Sequence, residues 1–408
     1  MKFLRHTLSN GIRLVHQPIE SPVAHCGIVI NSGSRDETEI QHGMAHLIEH
    51  LIFKGTQKRK AHHILSRMED VGGEINAFTT KEETCIYTTF FNNYYQRAFE
   101  LIADIIFHST FPSKEIQKEK EVIYDEINSY KDSPIEQIFD DFEEQAFQPN
   151  SIGRNILGSE ISLERINRED LLEFYHSTYC TNEMVVSSVG KVPFKNIIGY
   201  FEKFFTEIPL QKRMIQRTAY NRNHYLTVSK EIKKNTYQAH CMIGNLAYSN
   251  REEQRFILYL LNNILGGPGM NSRLNMTLRE QKGLAYNIES NYNTYSDIGL
   301  IQIYFGTDKH DLNRCVETIY SEIRKLCRKK LGSLQLSRAK RQLVGQIAIA
   351  SENYENQMLS NGRSILLFDD IDSLKVITEK INSITAEQLV EVSNEILNID
   401  QFTQLVFS

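Results

Sequence analysis

The first half of the chain begins with short runs in which apolar and polar residues alternate, and this alternation predicts β-strands. The first two runs are IRLVHQ and AHCGIVINSGS, and a strand pair is predicted later, in GGEINAFTTKEETCIYTTFF. Apolar residues return every three or four positions in YYQRAFELIADIIFHS, which predicts an amphipathic helix after the strand pair.

The second half of the chain repeats this order of elements. It contains YLTVSK, YQAHCMIGNLAY, the helical EEQRFILYLLNNILGG, the strand pair GLAYNIESNYNTYSDIGLIQIYFG and the helical DLNRCVETIYSEIRKLCRKK. The polar segment 206–223 between the halves is the best candidate for a linker. Strand pairs followed by long helices favour the α+β class. We therefore predict two homologous α+β domains, residues 1–205 and 224–408, each with an antiparallel-rich sheet packed against helices.

The segment QHGMAHLIEHLIFKGT contains two histidines inside an apolar run, and it ends near Gly55, which is typical of a helix stop. On a helix, His46 and His50 lie one turn apart on one face, where both rings can reach one ion. Glu49 lies on the same side. An H-x-x-E-H pattern alone arises by chance in roughly a few per cent of chains of this length. The motif therefore suggests a zinc site, and a third ligand is needed.

A candidate for that ligand lies in SKEIQKEKEVIYDEINSYKD. Glu119 and Glu126 share one predicted helical face with Ile116, Ile123 and Tyr130. An unpaired carboxylate in an apolar face is costly. We therefore expect a cation or a histidine N–H close to these two glutamates.

Composition excludes several other classes of protein. The chain has 46 Lys and Arg against 51 Asp and Glu, and their interleaving gives no basic stripe, so nucleic acid is not expected as a partner. No stretch of about twenty apolar residues and no signal peptide are present, so we expect no membrane association and a cytoplasmic location. The six cysteines form no C-x-x-C pair and are expected to be reduced thiols.

In combination, these segments resemble a known family. HGMAHLIEHLIFKGT, then GGEINAFTTKEETCIY, then EKEVIYDEI with Glu126 seventy-six residues after His50 closely resemble the pitrilysin or insulinase family of inverted-motif zinc peptidases. The length fits the shorter branch, which includes mitochondrial processing peptidase and its bacterial relatives. The resemblance extends over essentially the whole chain, and it implies the family's duplicated α/β-roll fold.

The resemblance also implies roles for the residues of the motif. His46, His50 and Glu126 would bind Zn²⁺, Glu49 would be the general base, and Glu119 would accept a histidine N–H. His42 continues the four-residue spacing, but the family does not use this position for metal. The corresponding helix of the second half, EEQRFILYLLNNIL, has no histidine, so one zinc ion per chain is expected.

Substrate contacts are implied in both halves. A glycine pair before an alternating strand suits an edge strand to which an extended peptide adds, although an ordinary hairpin is also possible. By resemblance, Asn76 and Ala77 touch the substrate, and Glu82 falls on the family's recurrent glutamate. In LREQKGLAY, Arg279 and Tyr286 have the spacing of an arginine and a tyrosine that reach the zinc site in the family. Tyr286 would donate to the oxyanion and Arg279 would orient the substrate.

The glycine-rich segment 266–269 in ILGGPGMNSRL lacks the Gly-Lys-Ser/Thr ending of a phosphate loop. A flexible turn and a substrate-contacting loop are both open. The resemblance implies a zinc endopeptidase that hydrolyses unfolded peptides in an enclosed chamber. The alternatives are a non-catalytic or scaffold subunit of the same fold, and a catalytic subunit that needs a separate partner chain. Because long family members carry two domain pairs, we expect a homodimer here, or a heterodimer with a related subunit.

Overall fold

The computed structural model describes residues 3–214 and 216–408. These residues form two mixed β-sheets. The strands of the first sheet are Leu4–Thr7 (β1), Arg13–Pro18 (β2), Val23–Ile30 (β3), Glu74–Thr79 (β4), Thr84–Phe91 (β5) and Met184–Gly190 (β6). Those of the second sheet are Ser229–Ile232 (β7), Ala239–Ala247 (β8), Ala285–Thr294 (β9), Gly299–Thr307 (β10) and Thr403–Phe407 (β11).

The helices lie mainly between these strands. In the first half they are Met44–Leu51 (α1), Ala61–Glu69 (α2), Tyr95–Phe107 (α3), Ser113–Lys131 (α4), Pro134–Phe147 (α5), Glu160–Arg165 (α6), Arg168–Thr178 (α7) and Phe194–Phe205 (α8). In the second half they are Arg255–Gly266 (α9), Leu312–Arg328 (α10), Ser333–Ala350 (α11), Tyr354–Phe368 (α12), Leu374–Ser383 (α13) and Ala386–Ile396 (α14).

The two sheets share one topology. Their strand orders are β1-β2-β6-β3-β5-β4 and β7-β11-β8-β10-β9. The pairs β2–β6 and β7–β11 are parallel, and the other neighbours are antiparallel. Five strands of each sheet therefore correspond in order and direction, and β1 is an addition at the edge of the first. The tripeptide Ala-His-Cys, at 24–26 and 239–241, falls on the matching strands β3 and β8. The predicted duplication of an antiparallel-rich α+β fold is confirmed.

The chain folds into two compact units, each with one sheet. The first unit comprises Met1–Asn128, Arg154–Thr218 and Ala350–Ile371, and the second comprises Ser129–Gly153, Ala219–Ile349 and Asp372–Ser408. One boundary between the units falls inside the predicted linker, 206–223. Two segments separate these units from the predicted domains 1–205 and 224–408. Helix α5 of the first half belongs to the second unit, and helix α12 of the second half belongs to the first.

Apolar packing explains this exchange of helices. Helix α12 lies so close to the first sheet that a Cβ at Gly362 would be 2.7 Å from Val29 Cγ2. Ser187 Oγ on β6 donates to the carbonyl of Met358 at 2.6 Å. In the second unit, Ile138 and Phe142 of α5 are fully buried in one cluster with residues of β8 and β10. Each sheet thus gains an apolar helix on a face that would otherwise expose its side chains to water.

Other helices of the first unit pack on one another and on the histidine helix α1. Phe99 of α3 and Phe205 of α8 meet edge to face, with ring centroids 6.3 Å apart. Helix α1 contacts α7 and strand β4.

Among the described residues, none of the helices combines the length and the apolar content that crossing a membrane requires. The six cysteines are free, as predicted.

His16 on β2 is a buried histidine that links the stability of the first unit to pH. Its ring stacks on Phe194 with centroids 6.0 Å apart, and its Nδ1 lies 3.2 Å from Ser188 Oγ. Burial lowers its pKa from 6.5 to about 4. As the pH falls below 6.5, the unfolded chain gains a proton that the folded chain does not take up until about pH 4. Protonation of His16 therefore opposes folding in this pH range.

We expect His16→Gln to reduce the loss of stability in acid. From the linkage relation, His16 removes roughly 2 kcal/mol from the free energy of unfolding between pH 7.5 and pH 5. Urea denaturation of the wild type and the variant at both pH values, followed by circular dichroism, measures this difference. The exposed His310→Gln is the matched control and should behave as the wild type. Equal acid sensitivity of His16→Gln and the wild type would contradict the assignment.

Candidate metal centre

The histidine helix α1 begins at a residue that cannot cap it. Gly43 precedes the helix with φ at 93°, and a Cβ at this position would lie 2.7 Å from the carbonyl oxygen of Leu157. Both facts favour glycine, which has no side chain to accept the free N–H groups of a helix start. Glu37 supplies the acceptors instead. Its two carboxylate oxygens accept from the N–H groups of Gly43 at 3.0 Å and Ala45 at 2.7 Å.

Glu37 is itself held inside the first unit. Burial raises the pKa of its carboxyl group to about 8, and the two N–H donors and Arg154 oppose this rise. Arg154 Nη2 donates to the carbonyl of Glu37 at 2.6 Å, and Lys81 Nζ donates to the carbonyl of Arg154 at 2.6 Å. The start of α1 is therefore fastened to the segment around Arg154 and to the turn after β4.

The three predicted ligands converge. The rings of His46 and His50 have centroids 4.6 Å apart, and Glu126 Oε2 on α4 lies 3.7 Å from His46 Nε2 and 4.0 Å from His50 Nε2. One ligand atom from each residue lies within 4.8 Å of the others. Ligand atoms about 2.1 Å from a tetrahedral zinc ion lie about 3.4 Å apart. The donor set, two imidazole nitrogens and one carboxylate oxygen, and its spacing therefore fit zinc.

His46 is in the protonation state that a metal requires. Burial lowers its pKa to about 3, and the neighbouring His50 acts in the same direction. The ring is therefore neutral near pH 7 and keeps a lone pair for a ligand bond. Its Nδ1 is buried and has no hydrogen-bond partner among the described atoms.

His50 differs from His46 because a carboxylate faces its second ring nitrogen. Glu119 Oε2 lies 3.1 Å from His50 Nδ1, and Glu119 Oε1 lies 2.8 Å from Lys54 Nζ. Glu119 shares its buried face with Ile116 and Ile123, as the periodicity of α4 predicts. Tyr130 continues the same spacing in the last turn of α4, but it is 37% exposed, so the face is not buried along its whole length.

Glu49 lies beside the three converging residues without being one of them. Burial raises the pKa of its carboxyl group, while Thr79 on β4 and His50 oppose the rise. Its Oε2 is buried and has no hydrogen-bond partner in the described part of the chain. A buried carboxylate oxygen without a partner is costly. Glu49 therefore presents an unpartnered acceptor oxygen beside the three converging residues.

Strand β4 carries the predicted substrate residues Asn76 and Ala77. They pair with Tyr87 and Ile86 of β5, and β4 is the outermost strand on this side of the sheet. In residues 3–214 and 216–408, no strand pairs with its other edge, so backbone groups there can accept an added strand. Helix α1 packs against the same strand.

Glu82 lies in the turn between β4 and β5. Its Oε1 is 2.7 Å from Arg35 Nη1, and the arginine is almost fully buried. Arg217 Nη1 is 3.8 Å from the same oxygen. The structure thus gives Glu82 a place in an ion-pair network that holds this turn, and its contact with substrate stays a prediction.

Arg279 and Tyr286 belong to the second unit, and their catalytic roles stay predictions. Arg279 lies in a π-helix, Asn275–Gln281, a rare conformation that is frequent at functional sites. Tyr286 on β9 is 55% exposed, and its hydroxyl donates to Asp308 Oδ1 at 3.3 Å. The charge of Asp308 raises the pKa of this tyrosine.

Two other features named from the sequence lie outside the converging residues. His42 bonds through Nε2 to the carbonyl of Asn155 at 3.0 Å, in line with its predicted absence from the metal site. The glycine-rich segment 266–269 follows α9. Just beyond it, Asn271 and Gln342 exchange two hydrogen bonds of 3.0 and 2.9 Å. A substrate contact by the segment stays open.

The H-x-x-E-H helix, the distant Glu126 and the duplicated unit together define the class of inverted-motif peptidases. Residues 14–160 match the family model of the insulinases, peptidase family M16, and residues 165–343 match the model described as the peptidase M16 inactive domain. The "Uncharacterized zinc protease YmxG" of Bacillus subtilis (strain 168) is 33% identical over 404 residues, covering 98% of this chain and 97% of its own. A zinc protease of Streptomyces coelicolor is 30% identical over 403 residues, which cover 96% of this chain and 87% of that protein. The chain belongs to the insulinase family, peptidase family M16.

Solved structures share the fold at lower identity. A protease from Helicobacter pylori has a TM-score of 0.93 at 20% identity, with 100% of this chain and 99% of that chain covered. An M16 inactive-domain protein from Pseudomonas fluorescens has a TM-score of 0.91 at 17% identity, covering 100% and 98%. At these identities the likeness concerns the fold alone. It confirms the predicted fold with two homologous domains.

Two residues that shape the site, Glu37 and Lys54, were not found from the sequence. A signal for Glu37 existed, because Gly43 at the start of the helix leaves N–H groups that need an acceptor from elsewhere. Lys54 follows His50 by four residues, a spacing that would place the two on one face of a continuous helix. This signal is weak because α1 ends at Leu51, before Lys54. The acceptor that Lys54 contacts lies on α4, far along the chain.

We expect Glu37→Ala to destabilise the first unit. It removes the acceptor of two buried N–H groups, and each unsatisfied group costs about 1–3 kcal/mol, so the free energy of unfolding should fall by roughly 2–6 kcal/mol. Urea denaturation measures the change. Glu39→Ala is the matched control, because Glu39 is exposed in the same segment. Equal stability of the two variants would show that Glu37 does not hold the helix.

Proposed function

We propose that this chain is a zinc-dependent endopeptidase with its metal on His46, His50 and Glu126. The observation that carries the proposal is the approach of their ligand atoms to within 4.8 Å of one another, next to a buried Glu49 carboxylate that is not a ligand. Relatives of similar length named zinc proteases support it.

The residues of this chain supply the proton transfers. A zinc ion in the site would act as a Lewis acid, lowering the pKa of a water molecule and polarising a peptide carbonyl. Glu49 accepts the proton of the attacking water and passes it to the leaving amine. Glu119 holds His50 in the tautomer that leaves Nε2 free.

The substrate of this reaction is an extended peptide. The free edge of β4 at Asn76 and Ala77 would bind the peptide backbone as an added strand, which requires the substrate to be locally unfolded. The ion pair between Arg35 and Glu82 would hold the adjoining turn. By family resemblance, Tyr286 and Arg279 would stabilise the oxyanion and orient the peptide in an enclosed chamber.

One zinc ion per chain is expected. Asp308, His310 and Asp311 of the second unit also come within 4.8 Å of one another, but they lie near the surface in a turn. Asp311 Oδ1 is 2.5 Å from Arg314 Nη1, and Asp308 accepts from Tyr286. These carboxylates are therefore already engaged. Helix α9 of the second half contains no histidine.

A non-catalytic subunit of the same fold is the second candidate function. The description of residues 165–343 as an M16 inactive domain is its support. That description concerns the second half, while the ligands and Glu49 all lie in residues 14–160. The presence of all three candidate ligands and of Glu49 in the first half favours an active enzyme. The cytoplasmic location stays a prediction.

Two substitutions separate metal binding from proton transfer. Glu49→Gln should keep about one zinc per chain and lose hydrolysis by roughly 100-fold or more, because only the base is removed. Glu126→Gln should lose most of the zinc, because one of three ligands is weakened. Metal analysis and cleavage of a mixed peptide library measure both effects.

The control for both variants is Glu121→Gln, an exposed carboxylate on α4. It should match the wild type in metal content and in activity. Retained hydrolysis by Glu49→Gln would refute the general base, and full zinc occupancy of Glu126→Gln would remove Glu126 from the site. A wild type that binds zinc and cuts no peptide, with or without a related partner chain, would favour the non-catalytic function.

We further propose that the enzyme is a homodimer in which Tyr286 and Arg279 of one subunit complete the site of the other. Glu49→Gln and Tyr286→Phe should each be nearly inactive alone. When equal amounts exchange subunits, half of the dimers are mixed and each has one intact site of two. Activity should then recover to about a quarter of the wild type.

The alternative arrangements give different results in this mixture. If each chain completes its own site, every site keeps one defect and no activity returns, even when labelled subunits are shown to exchange. A single species of monomer mass that is fully active would also rule out the shared site. Neither result would alter the assignment of the zinc ligands.

A further inference from the structure

Lys54 is a cation close to the metal centre that neither the H-x-x-E-H motif nor the distant glutamate includes. It lies just after α1, where its backbone N–H donates to the carbonyl of Leu51 at 3.0 Å. Its ammonium group lies 2.8 Å from Glu119 Oε1. The other oxygen of the same carboxylate, Oε2, lies 3.1 Å from His50 Nδ1.

We propose that Lys54 is a positioning residue that orients His50 through Glu119 and thereby raises the affinity of the site for zinc. The inference rests on the proposed zinc site. Lys54 itself touches none of the three ligand residues in the contacts described for this chain.

The carboxylate of Glu119 needs a cation because it is buried. Its side chain is 7% exposed, and the other polar group that the described residues place against it is the imidazole of His50. A buried carboxylate facing a neutral ring alone is poorly compensated for its lost hydration. Lys54, at 30% exposed, brings a positive charge that remains partly hydrated. The ion pair therefore offsets part of the cost of burying the Glu119 carboxylate.

Lys54 also fixes the direction in which Glu119 points. Each oxygen of the carboxylate has one partner, Lys54 on Oε1 and His50 on Oε2, so rotation of the group would break both contacts. The ammonium thus holds Oε2 against the histidine. Without it, Glu119 can rotate, and rotation weakens its acceptance of the ring N–H.

The contact between Glu119 and Nδ1 of His50 determines the state of Nε2, the nitrogen on the other side of the ring. Because Glu119 accepts at Nδ1, the ring proton stays there and Nε2 keeps its lone pair on the side of Glu126. Among the described atoms, Nδ1 of His46 has no such acceptor. His50 is therefore the one histidine of the pair that a carboxylate orients, and the site depends on the contact between Lys54 and Glu119.

The test is the zinc affinity of Lys54→Met, measured on the full chain by competition with a chromophoric chelator. Loss of an outer partner of a metal-bound histidine typically weakens metal binding about 10–100-fold, and a weakening of at least 10-fold is expected here. Lys54→Arg keeps the charge and should stay within about 3-fold of the wild type. Lys118→Met is the matched control. Lys118 lies on α4, as Glu119 does, but its ammonium pairs with Glu115 at 2.9 Å.

A double mutant shows whether Lys54 acts through Glu119. Glu119→Gln alone should weaken zinc binding, and adding Lys54→Met to it should cause little further loss. If the fold-loss in zinc affinity of the double mutant equals the product of the two single losses, Lys54 does not act through Glu119 and the proposal is overturned. Thermal unfolding of the metal-free proteins separates this effect from a general loss of stability, because a purely structural lysine would lower the midpoint and leave the affinity of the folded protein unchanged.

The same data distinguish this inference from the proposed function. If the wild type binds zinc tightly and Lys54→Met binds it equally well, the role of Lys54 is refuted and the zinc site stands. If the wild type binds zinc no better than His46→Ala, the proposed function fails and the inference fails with it. Weakened binding by Lys54→Met, with recovery by Lys54→Arg, supports both.

Discussion

The metal centre depends on two buried carboxylates that fix the histidine helix at its two ends. Glu37 accepts the free N–H groups at the start of α1, and Glu119 accepts at the ring of His50 near its end. Two histidines four residues apart bind a metal well only if the helix and both rings are fixed before the ion arrives. A helix of eight residues has little stability of its own, so its position is set by these contacts and by packing on β4.

Glu37, Glu119 and Glu49 differ in the hydrogen-bond partners that surround their carboxylates. Glu37 faces two backbone N–H groups, Glu119 faces an ammonium and an imidazole, and Glu49 has a buried oxygen with no partner among the described atoms. The first two are fully engaged in holding the structure. Glu49 alone keeps a free acceptor, and a group that is left unsatisfied at a structural cost is what a base in a reaction requires.

Duplication gave this chain two units of one topology, and only the first carries the H-x-x-E-H motif. The strands match in order and direction, β2-β6-β3-β5-β4 against β7-β11-β8-β10-β9. The two histidines of the H-x-x-E-H motif lie on α1, which follows β3, and the corresponding helix α9 contains no histidine. The second unit carries a π-helix at Arg279 and an exposed Tyr286 on its outer strand. A fold does not by itself carry a function, so two units can share a topology without sharing the histidine motif.

The sequence by itself determined the class of fold, the duplication and the residues that converge at the candidate metal centre. Periodicity reports which face of a helix is apolar, so the spacing of His46, His50, Glu119 and Glu126 was enough to assign them to inward faces. Periodicity does not report which distant segments meet. His50 and Glu119 are 69 residues apart, and the pairing of Glu82 with Arg35 spans 47. Only the tertiary structure placed Lys54 on Glu119, Glu37 under the histidine helix, and α5 and α12 on the sheets of opposite halves of the chain. These contacts are decided by burial across the fold, which no local pattern encodes.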